Sequence, residues 1–458
     1  MAAKRPIVLV HGYSDRGESF RAWRDALVAS GRYDPADVRI CNYKSLTNEV
    51  TIKDLAEGFD RTLRKCAGLE AEQPFDAVVH STGMLVVRAW LTSYTARRDR
   101  LKHLIGLAPA TNGSPLAHKG RSLLGSIFKG NKAWGPDFME AGDRVLDGLE
   151  LASKFTWDLA HRDLFDPDAG AFYGASAKTP YCFIFCGTDG YGGIRGLVNE
   201  PGTDGTVRQA GCALDSRKVV LDLAIDAEGS RAAVEKFANV DSPTYFVDGL
   251  NHGTIMTGPT GELVAYVLAA LDVSTGAQFD AWTRAATAAF AGGADALGDR
   301  YQQFVVRAVD ERGDPITDYH VEMTTERQGF FKGVREFDLD VHTYKADPSL
   351  RCFHVNLTAL GKLKPGELAT LRLRVIASSG TKMVVYQAVG RHQQDVGGKA
   401  DDRGQWTGSL DLSKIVGGAG SDFKLFYPFT TTFIELRLNR EPVPLDKYYH
   451  IFEMLEGQ

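Results

Sequence analysis

The chain has 458 residues, of which 24% are charged and 44% hydrophobic, and this composition excludes a mainly disordered, collagenous or fibrous protein. The 53 Lys and Arg residues against 58 Asp and Glu give a net charge of −5, so no overall positive field would attract nucleic acid or an anionic bilayer. Because single cores rarely grow beyond ~250–300 residues, the length predicts two domains, or one domain with a large insertion.

Hydrophobicity and cysteine spacing argue against a membrane span, a disulfide framework or a metal centre. The longest apolar stretch, Leu263 to Leu271, is far shorter than the ~18–20 residues that a transmembrane helix needs. The six cysteines are scattered and lack the spacing of a zinc site, so reduced thiols are expected. The apolar run Ile7–Val10 is too short for a signal peptide core of ~7–15 residues. We therefore expect a soluble protein that is cytoplasmic or exported by another route.

Six short apolar runs alternate with helix-period segments over residues 7–271. The runs are Ile7–Val10, Val38–Tyr43, Phe75–His80, Leu101–Ala108, Tyr181–Cys186 and Thr244–Val247. Buried parallel strands read as near-continuous hydrophobic runs because helices cover both faces of the sheet. Between the second and third runs, an amphipathic helix is indicated by the stripe Ile52, Leu55, Ala56, Phe59 and Leu63. The pattern predicts an α/β fold with a doubly wound, mostly parallel sheet.

Residues 113–179 interrupt this alternation where only one helix is expected. They contain an apolar cluster that consists of Leu123, Leu124, Ile127, Phe128, Trp134 and Phe138. We interpret the segment as a lid insertion whose apolar cluster lines an acyl pocket. Lid loops and core helices share this composition, so an ordinary pair of packing helices fits the sequence equally well.

The pattern of the sequence changes after Val273. An Ala-rich helical linker is predicted at 274–300, with an apolar stripe of Phe279, Trp282, Ala286 and Phe290. From Tyr301 onward apolar residues alternate with a period of two, and one such run consists of Phe337, Leu339 and Val341. Alternation of this kind is typical of antiparallel strands with one solvated face. The predicted domains are thus an α/β domain at 1–273 and, after the linker, a β-sandwich-like domain at 301–458.

The strand predicted at Phe75–His80 leads into a turn centred on Ser81 and then into a helix. Such a turn exposes the serine at the carboxyl end of the sheet and directs the next N–H, that of Thr82, toward a developing oxyanion. Because strand and helix pass closely, small residues are expected two positions before and after the serine. Gly83 satisfies this pattern, whereas Val79 departs from it. Taken alone, the motif also fits a helix N-cap serine.

Other polar groups also follow predicted strands. The first strand ends in His11-Gly12, and the loop after it offers a second N–H donor, that of Tyr13. Asp204 follows the fifth strand in the segment Asp-Gly-Thr-Val, and His252 follows the sixth. A serine, an aspartate and a histidine therefore occur in that order, each after a predicted strand.

Together these segments resemble the α/β-hydrolases of the lipase/esterase type. The matching motifs are Val10–Gly12, His80–Gly83, Arg88–Leu91, Ala108–Ala117, Asp204–Val207 and Asn251–Gly253. The resemblance covers roughly the first 270 residues and is nearest to the lecithin:cholesterol acyltransferase-like and bacterial triacylglycerol lipase groups, in which a lid covers the acyl pocket. It implies that the backbone amides of Tyr13 and Thr82 form an oxyanion hole.

The resemblance also implies a triad in which Ser81 is the nucleophile, His252 the base and Asp204 the orienting acid. A serine hydroxyl needs a base with a pKa near 7, and a carboxylate fixes the imidazole tautomer. Asp189, directly after the fifth strand, is the alternative acid. Asp204 is favoured because its segment reproduces the lipase-type loop more fully. His80, beside the serine, is expected to hold a loop by a hydrogen bond rather than to carry protons.

These features predict a serine carboxylic ester hydrolase that forms an acyl-enzyme and needs no metal or other cofactor. A hydrophobic lid would favour acyl lipids, phospholipids or water-insoluble polyesters over small polar esters, with transient contact with a lipid surface. Two alternatives stay open. One is a non-catalytic binding protein on a hydrolase-like scaffold, which Val79 favours. The other is a toxin-like phospholipase effector that is delivered by a secretion machine.

Overall fold

The structure is a computed structural model of the chain. It describes residues 5–12, 18–41, 48–65, 69, 73–117, 142–166, 168, 172–174, 179–193, 196, 199–224, 232–235, 242–326, 334–337, 339–363, 367, 369–388, 400–401, 404–412 and 425–443. Within these ranges, no helix is both long enough and apolar enough to cross a bilayer.

Six parallel strands form a sheet in the order β2-β1-β3-β4-β5-β8. They are β1 (Ile7–Val10), β2 (Val38–Cys41), β3 (Phe75–His80), β4 (Leu101–Leu107), β5 (Tyr181–Gly187) and β8 (Thr244–Val247). Two further strands intervene in sequence before β8 and lie in a different sheet, namely β6 (Ser216–Asp222) and β7 (Ala232–Glu235). All six runs predicted from the sequence are therefore confirmed as strands of a parallel sheet.

Helices cover both faces of this sheet. In β1, Val8 and Val10 belong to a first hydrophobic core on one face of the sheet, whereas Ile7 and Leu9 belong to a second core on the other face. Both faces are thus buried, which explains the near-continuous apolar runs. The described helices of this part are Arg21–Ala29, Ile52–Lys65, Gly83–Ser93, Asp143–Leu149, Lys154–Asp163, Gln209–Cys212, Thr254–Thr257, Gly261–Ala270, Gly276–Ala289 and Ala291–Ala296, with 3-10 turns at Glu18–Phe20 and Thr95–Arg100.

The segment interpreted as a lid is described only in part. Its six apolar candidates all fall within 118–141 and so lie outside the described residues. Downstream of them, the helices Asp143–Leu149 and Lys154–Asp163 contribute buried apolar side chains to the first core. These two helices match the interpretation as packing helices, and the lid at 113–179 stays a prediction.

The C-terminal region forms two further sheets. One has the order β11-β10-β14-β16, and the other β12-β13-β9-β17-β6-β7, with β15 paired to β17. One hydrophobic core contains residues of both sheets, among them Met323 and Leu436, which fits the predicted sandwich-like arrangement. The strands are β9 (Tyr301–Asp310), β10 (Tyr319–Glu326), β11 (Val334–Phe337), β12 (Asp340–Thr343), β13 (Leu350–Asn356), β14 (Arg372–Ser378), β15 (Val384–Gln387), β16 (Gln405–Asp411) and β17 (Thr431–Pro442). A short helix, Leu357–Gly361, follows β13.

Two compact units divide the chain. The first comprises residues 1–216, 237–301 and 429–431, and the second residues 217–236, 302–428 and 432–458. The helices that were predicted as a linker lie in the first unit, and the β6–β7 hairpin lies in the second. The predicted domain boundaries at 273 and 300 stay predictions.

Candidate active site

Ser81 lies on a strained turn between β3 and the helix Gly83–Ser93. Its φ is +52°, in the left-handed region that residues other than glycine rarely adopt. Two backbone N–H groups hold the turn by donating to the Ser81 carbonyl, from Ala110 at 3.0 Å and from Met84 at 3.2 Å. Strain of this kind costs about 1–3 kcal/mol and persists where the surroundings enforce it. The predicted strand, serine turn and helix are all present.

Glycines on neighbouring segments make room for this turn. A Cβ on Gly12 would lie 2.8 Å from Ser81 Cβ, and one on Gly83 would lie 2.6 Å from the Val10 carbonyl oxygen. The loop after β1 therefore passes directly beside Ser81, and neither glycine tolerates a side chain without a shift.

Val79 does not prevent the turn from forming. Its side chain is fully buried in the first core, and Gly106 is its register partner on β4. A Cβ on Gly106 would lie 3.2 Å from Met84 Cε on the helix that follows Ser81. Gly106 on β4 thus provides space on the helix side of the sheet. The local motif around Ser81 does not include this residue.

His252 and Asp204 form a buried pair. The Nδ1 atom of His252 lies 2.9 Å from Asp204 Oδ2, and both side chains are 0% exposed. An ionised carboxylate only accepts, so the imidazole nitrogen donates. The backbone N–H of His252 also donates to the Asp204 carbonyl at 2.9 Å. This geometry fixes the imidazole tautomer and its orientation, as a general base requires.

The loop after Asp204 binds one oxygen of its carboxylate. Oδ1 accepts the backbone N–H groups of Thr206 at 3.0 Å and Val207 at 2.8 Å. Between them and the aspartate, Gly205 has a φ of +96° and a Cβ there would meet the Tyr191 ring at 2.7 Å. The segment Asp-Gly-Thr-Val therefore bends so that its own amides hold one oxygen and leave the other for His252.

His80 holds the backbone of His252 by a hydrogen bond. Its Nε2 lies 2.8 Å from the His252 carbonyl oxygen, and the two ring centroids are 4.6 Å apart. Burial lowers the pKa of His80 well below its ordinary value of 6.5, and the nearby His252 and His11 lower it further. His80 is therefore neutral and donates from Nε2 to the carbonyl. As expected from the sequence, it holds a loop in place.

The alternative acid, Asp189, is exposed. Its carboxylate accepts a hydrogen bond from the Thr188 hydroxyl at 3.0 Å. Asp204, rather than Asp189, is the carboxylate that the fold brings to His252.

Of the two predicted oxyanion donors, one lies within the described residues. Thr82 is fully buried and occupies the N-cap of the helix Gly83–Ser93, where backbone N–H groups have no partner within the helix. Its position supports the predicted role. Tyr13 lies outside the described residues. Among the described residues, no group of three or more His, Cys, Asp and Glu side chains is arranged to hold a metal ion.

A loop after β4 links the serine turn to the segment around Asp204. Ala110 contacts Ser81 as described above, the Thr111 hydroxyl donates to the Cys212 carbonyl at 2.6 Å, and the Ser114 hydroxyl donates to the Thr206 carbonyl at 2.6 Å. Sequence reasoning identified this loop only as part of a resemblance. The hydroxyl residues in Thr-Asn-Gly-Ser were the available signal.

A buried ion pair fixes the helix that follows Ser81, and sequence reasoning missed it. Arg88 donates to both oxygens of Asp163 at 2.8 and 2.9 Å and to the Thr111 carbonyl at 2.5 Å, while the Tyr173 hydroxyl donates to Asp163 at 2.6 Å. Both charged side chains are 0% exposed, and such a bidentate pair is geometrically specific. The only sign of this ion pair in the sequence was the presence of an arginine in a mostly apolar helix.

Comparison with known proteins identifies the fold. No protein-family model matches the chain, and no curated protein does. Among solved structures, phospholipase PlaB from Legionella pneumophila aligns over 98% of this chain and 97% of its own, with 22% identity and a TM-score of 0.74. The chain has the α/β-hydrolase fold.

Two other solved structures complete the comparison. The complex of the same phospholipase with thio-NAD aligns over 97% of this chain and 96% of its own, with 22% identity and a TM-score of 0.72. A mature lipase from Bacillus licheniformis, BlEst2, aligns over 58% of this chain and 93% of its own, with 17% identity and a TM-score of 0.39. The likeness to the phospholipase thus confirms the expected α/β-hydrolase fold, and the antiparallel sheets of the C-terminal region fit the predicted β domain.

Proposed function

We propose that the protein is a serine hydrolase that cleaves carboxylic esters of lipids. The observation that carries this proposal is the buried His252–Asp204 pair, which His80, the chain neighbour of Ser81, connects to the strained serine turn through its hydrogen bond to the His252 carbonyl. A non-catalytic scaffold has no need for a strained serine, an oriented imidazole and a fully buried carboxylate in one place. Since the serine turn forms despite Val79, that residue no longer favours the alternative of a binding protein.

The proposed reaction proceeds through an acyl-enzyme. Ser81 Oγ attacks the ester carbonyl carbon while His252 takes the hydroxyl proton, and Asp204 stabilises the imidazolium that results. The carbonyl oxygen becomes an oxyanion, to which the Thr82 amide donates, with Tyr13 as the proposed second donor. The leaving alcohol receives the proton from His252. Water then attacks the acyl carbonyl by the same route and releases the acid, so no metal or other cofactor is needed.

Lipid esters, and phospholipids first among them, are the proposed substrate class. Two observations support this choice: the apolar cluster within the segment at 113–179, which is proposed as a lid, and the whole-length likeness to a protein described as a phospholipase. Ser81, Asp204 and His252 all lie in the first compact unit, which is therefore proposed as the catalytic part. Polyesters and small esters are alternative substrates that the following test separates.

The test compares Ser81→Ala with Ser93→Ala, a control serine exposed at the other end of the same helix. Each protein is assayed on phosphatidylcholine and phosphatidylglycerol vesicles, a polyester film and p-nitrophenyl acetate. We expect Ser81→Ala to lower kcat by at least about 10³-fold, with some residual activity from the rest of the site. Ser93→Ala is expected to match the wild type. Equal activity of the two variants would show that Ser81 is not the nucleophile. A preference for p-nitrophenyl acetate over the phospholipid vesicles would contradict the proposed substrate class.

A further inference from the structure

The carboxylate of Asp204 receives four donors. Oδ1 accepts two backbone N–H groups, and Oδ2 accepts His252 Nδ1 and, at 3.8 Å, the thiol of Cys186. A carboxylate offers about four lone-pair sites, and this one is 0% exposed, so bulk water supplies no donor. The thiol of Cys186 fills the last acceptor position on the oxygen that also binds the imidazole.

Cys186 is placed for this contact by the sheet. It is the penultimate residue of β5 and is 0% exposed. Its Sγ lies 3.5 Å from the Sγ of Cys212 and 3.6 Å from the Gly187 carbonyl oxygen. Of its acceptors, the carboxylate is the charged one and therefore competes best for the S–H.

Both thiols stay protonated near neutral pH. The contact with Cys212 and then burial raise the pKa of Cys186, while burial raises the pKa of Cys212. Neither sulfur is therefore a thiolate nucleophile. Cys186 carries a proton that it can donate to Asp204.

We propose that Cys186 is a positioning residue for the Asp204–His252 pair: its S–H occupies the last acceptor site of the carboxylate and limits the negative charge that His252 meets. This proposal rests on the proposed function, since it assigns a role within the same site. It concerns the strength of the Asp204–His252 hydrogen bond and leaves the reacting groups unchanged.

Removal of the thiol has a consequence of definite sign. Without the S–H, more of the carboxylate charge acts on His252 Nδ1, and the imidazolium becomes more stable. The acid limb of the kcat/KM profile, which reports the base of the free enzyme, then moves to higher pH. Among the described residues, titratable groups near His252 besides Asp204 and Cys186 include His80, on which His11 also acts, and Cys212, which contacts Cys186.

The experiment compares the full-length wild type with Cys186→Ala, Cys186→Ser and Cys182→Ala. Cys182 is a matched control, because it is a buried thiol on the same strand whose Sγ contacts the Pro180 carbonyl instead of Asp204. Each variant is assayed for ester hydrolysis between pH 5 and 9. We expect Cys186→Ala to lower kcat/KM at neutral pH roughly twofold to tenfold with the acid limb at higher pH, Cys186→Ser to restore both, and Cys182→Ala to leave the limb in place.

A second measurement needs no turnover. An NMR titration of the His252 imidazole is expected to show the same upward displacement in Cys186→Ala and its reversal in Cys186→Ser. An unchanged acid limb and NMR titration in Cys186→Ala, or an equal displacement in Cys182→Ala, would overturn the proposal. If the wild type hydrolyses no ester, the proposed function fails, and the NMR comparison alone decides whether Cys186 tunes the pair.

Discussion

At the scale of single residues, only part of the nucleophile motif can be recognised from the sequence. The strand, the serine and the helix can be predicted from residues 75–91, because their pattern is local. The space that the turn needs is provided by Gly12 after β1 and by Gly106 on β4, which are remote in sequence. A valine two residues before the serine therefore reads as a defect in the motif, although the fold accommodates it.

His80 makes the stability of the protein depend on pH. Its pKa in the folded state lies below the unfolded value, mainly because of burial, so the unfolded state binds the proton more readily. Stability is then lost as pH falls below about 6.5. We predict that the free energy of unfolding of the wild type falls by up to about 1 kcal/mol per pH unit more than that of His80→Gln between pH 6.5 and 5.

The measurement is urea denaturation at several pH values. His320→Gln is the matched control, because the side chain of His320 is 57% exposed and its removal should leave the pH slope as in the wild type. Parallel pH slopes for wild type and His80→Gln would show that His80 accepts its proton in the folded state and would contradict the buried, neutral assignment.

At the scale of elements, patterns that depend on burial alone were predictable. Strands buried on both faces had near-continuous apolar runs, and the stripe from Ile52 to Leu63 indicated a helix. The alternation through Phe337, Leu339 and Val341 spans two strands. The structure has β11 and β12 there, in different sheets. A period of two specifies which side chains share a face, but not where the chain leaves one sheet for another.

The helix Gly276–Ala289 is expected to contribute strongly to stability. Trp282 is 7% exposed, its ring centroid lies 4.5 Å from that of Phe183 on β5, and its Nε1 donates to the Tyr266 carbonyl at 3.0 Å. We predict that Trp282→Ala lowers the free energy of unfolding by about 3–5 kcal/mol, since it leaves a cavity in the core. Chemical denaturation followed by far-UV circular dichroism measures this change.

Asp280→Asn is the control for this prediction, because Asp280 lies on the same helix and is exposed. Surface substitutions of this kind usually change stability by less than about 0.5 kcal/mol. If Trp282→Ala were as stable as Asp280→Asn, the helix would not be part of the core of the first unit, and its reading as a linker would be preferred.

At the scale of the whole molecule, the features that could not be predicted are those that depend on pairing between residues far apart in sequence. The β6–β7 hairpin falls between β5 and β8 in sequence, yet it belongs to the second compact unit. Local patterns carry no record of such a partner. The same holds for Arg88 and Asp163, which are 75 residues apart and meet only in the fold. Ser81, Asp204 and His252 could be proposed in advance because each follows a strand of one parallel sheet.

Labelling with a fluorophosphonate, followed by peptide mapping by mass spectrometry, tests the central claim that these three remote residues act as one unit. We predict one adduct on Ser81 in the wild type and in Asp189→Asn, no adduct in Ser81→Ala, and labelling about 10³–10⁴-fold slower in Asp204→Asn, where the imidazole loses its orienting carboxylate. An adduct on another residue, or labelling of Asp204→Asn at the wild-type rate, would contradict it.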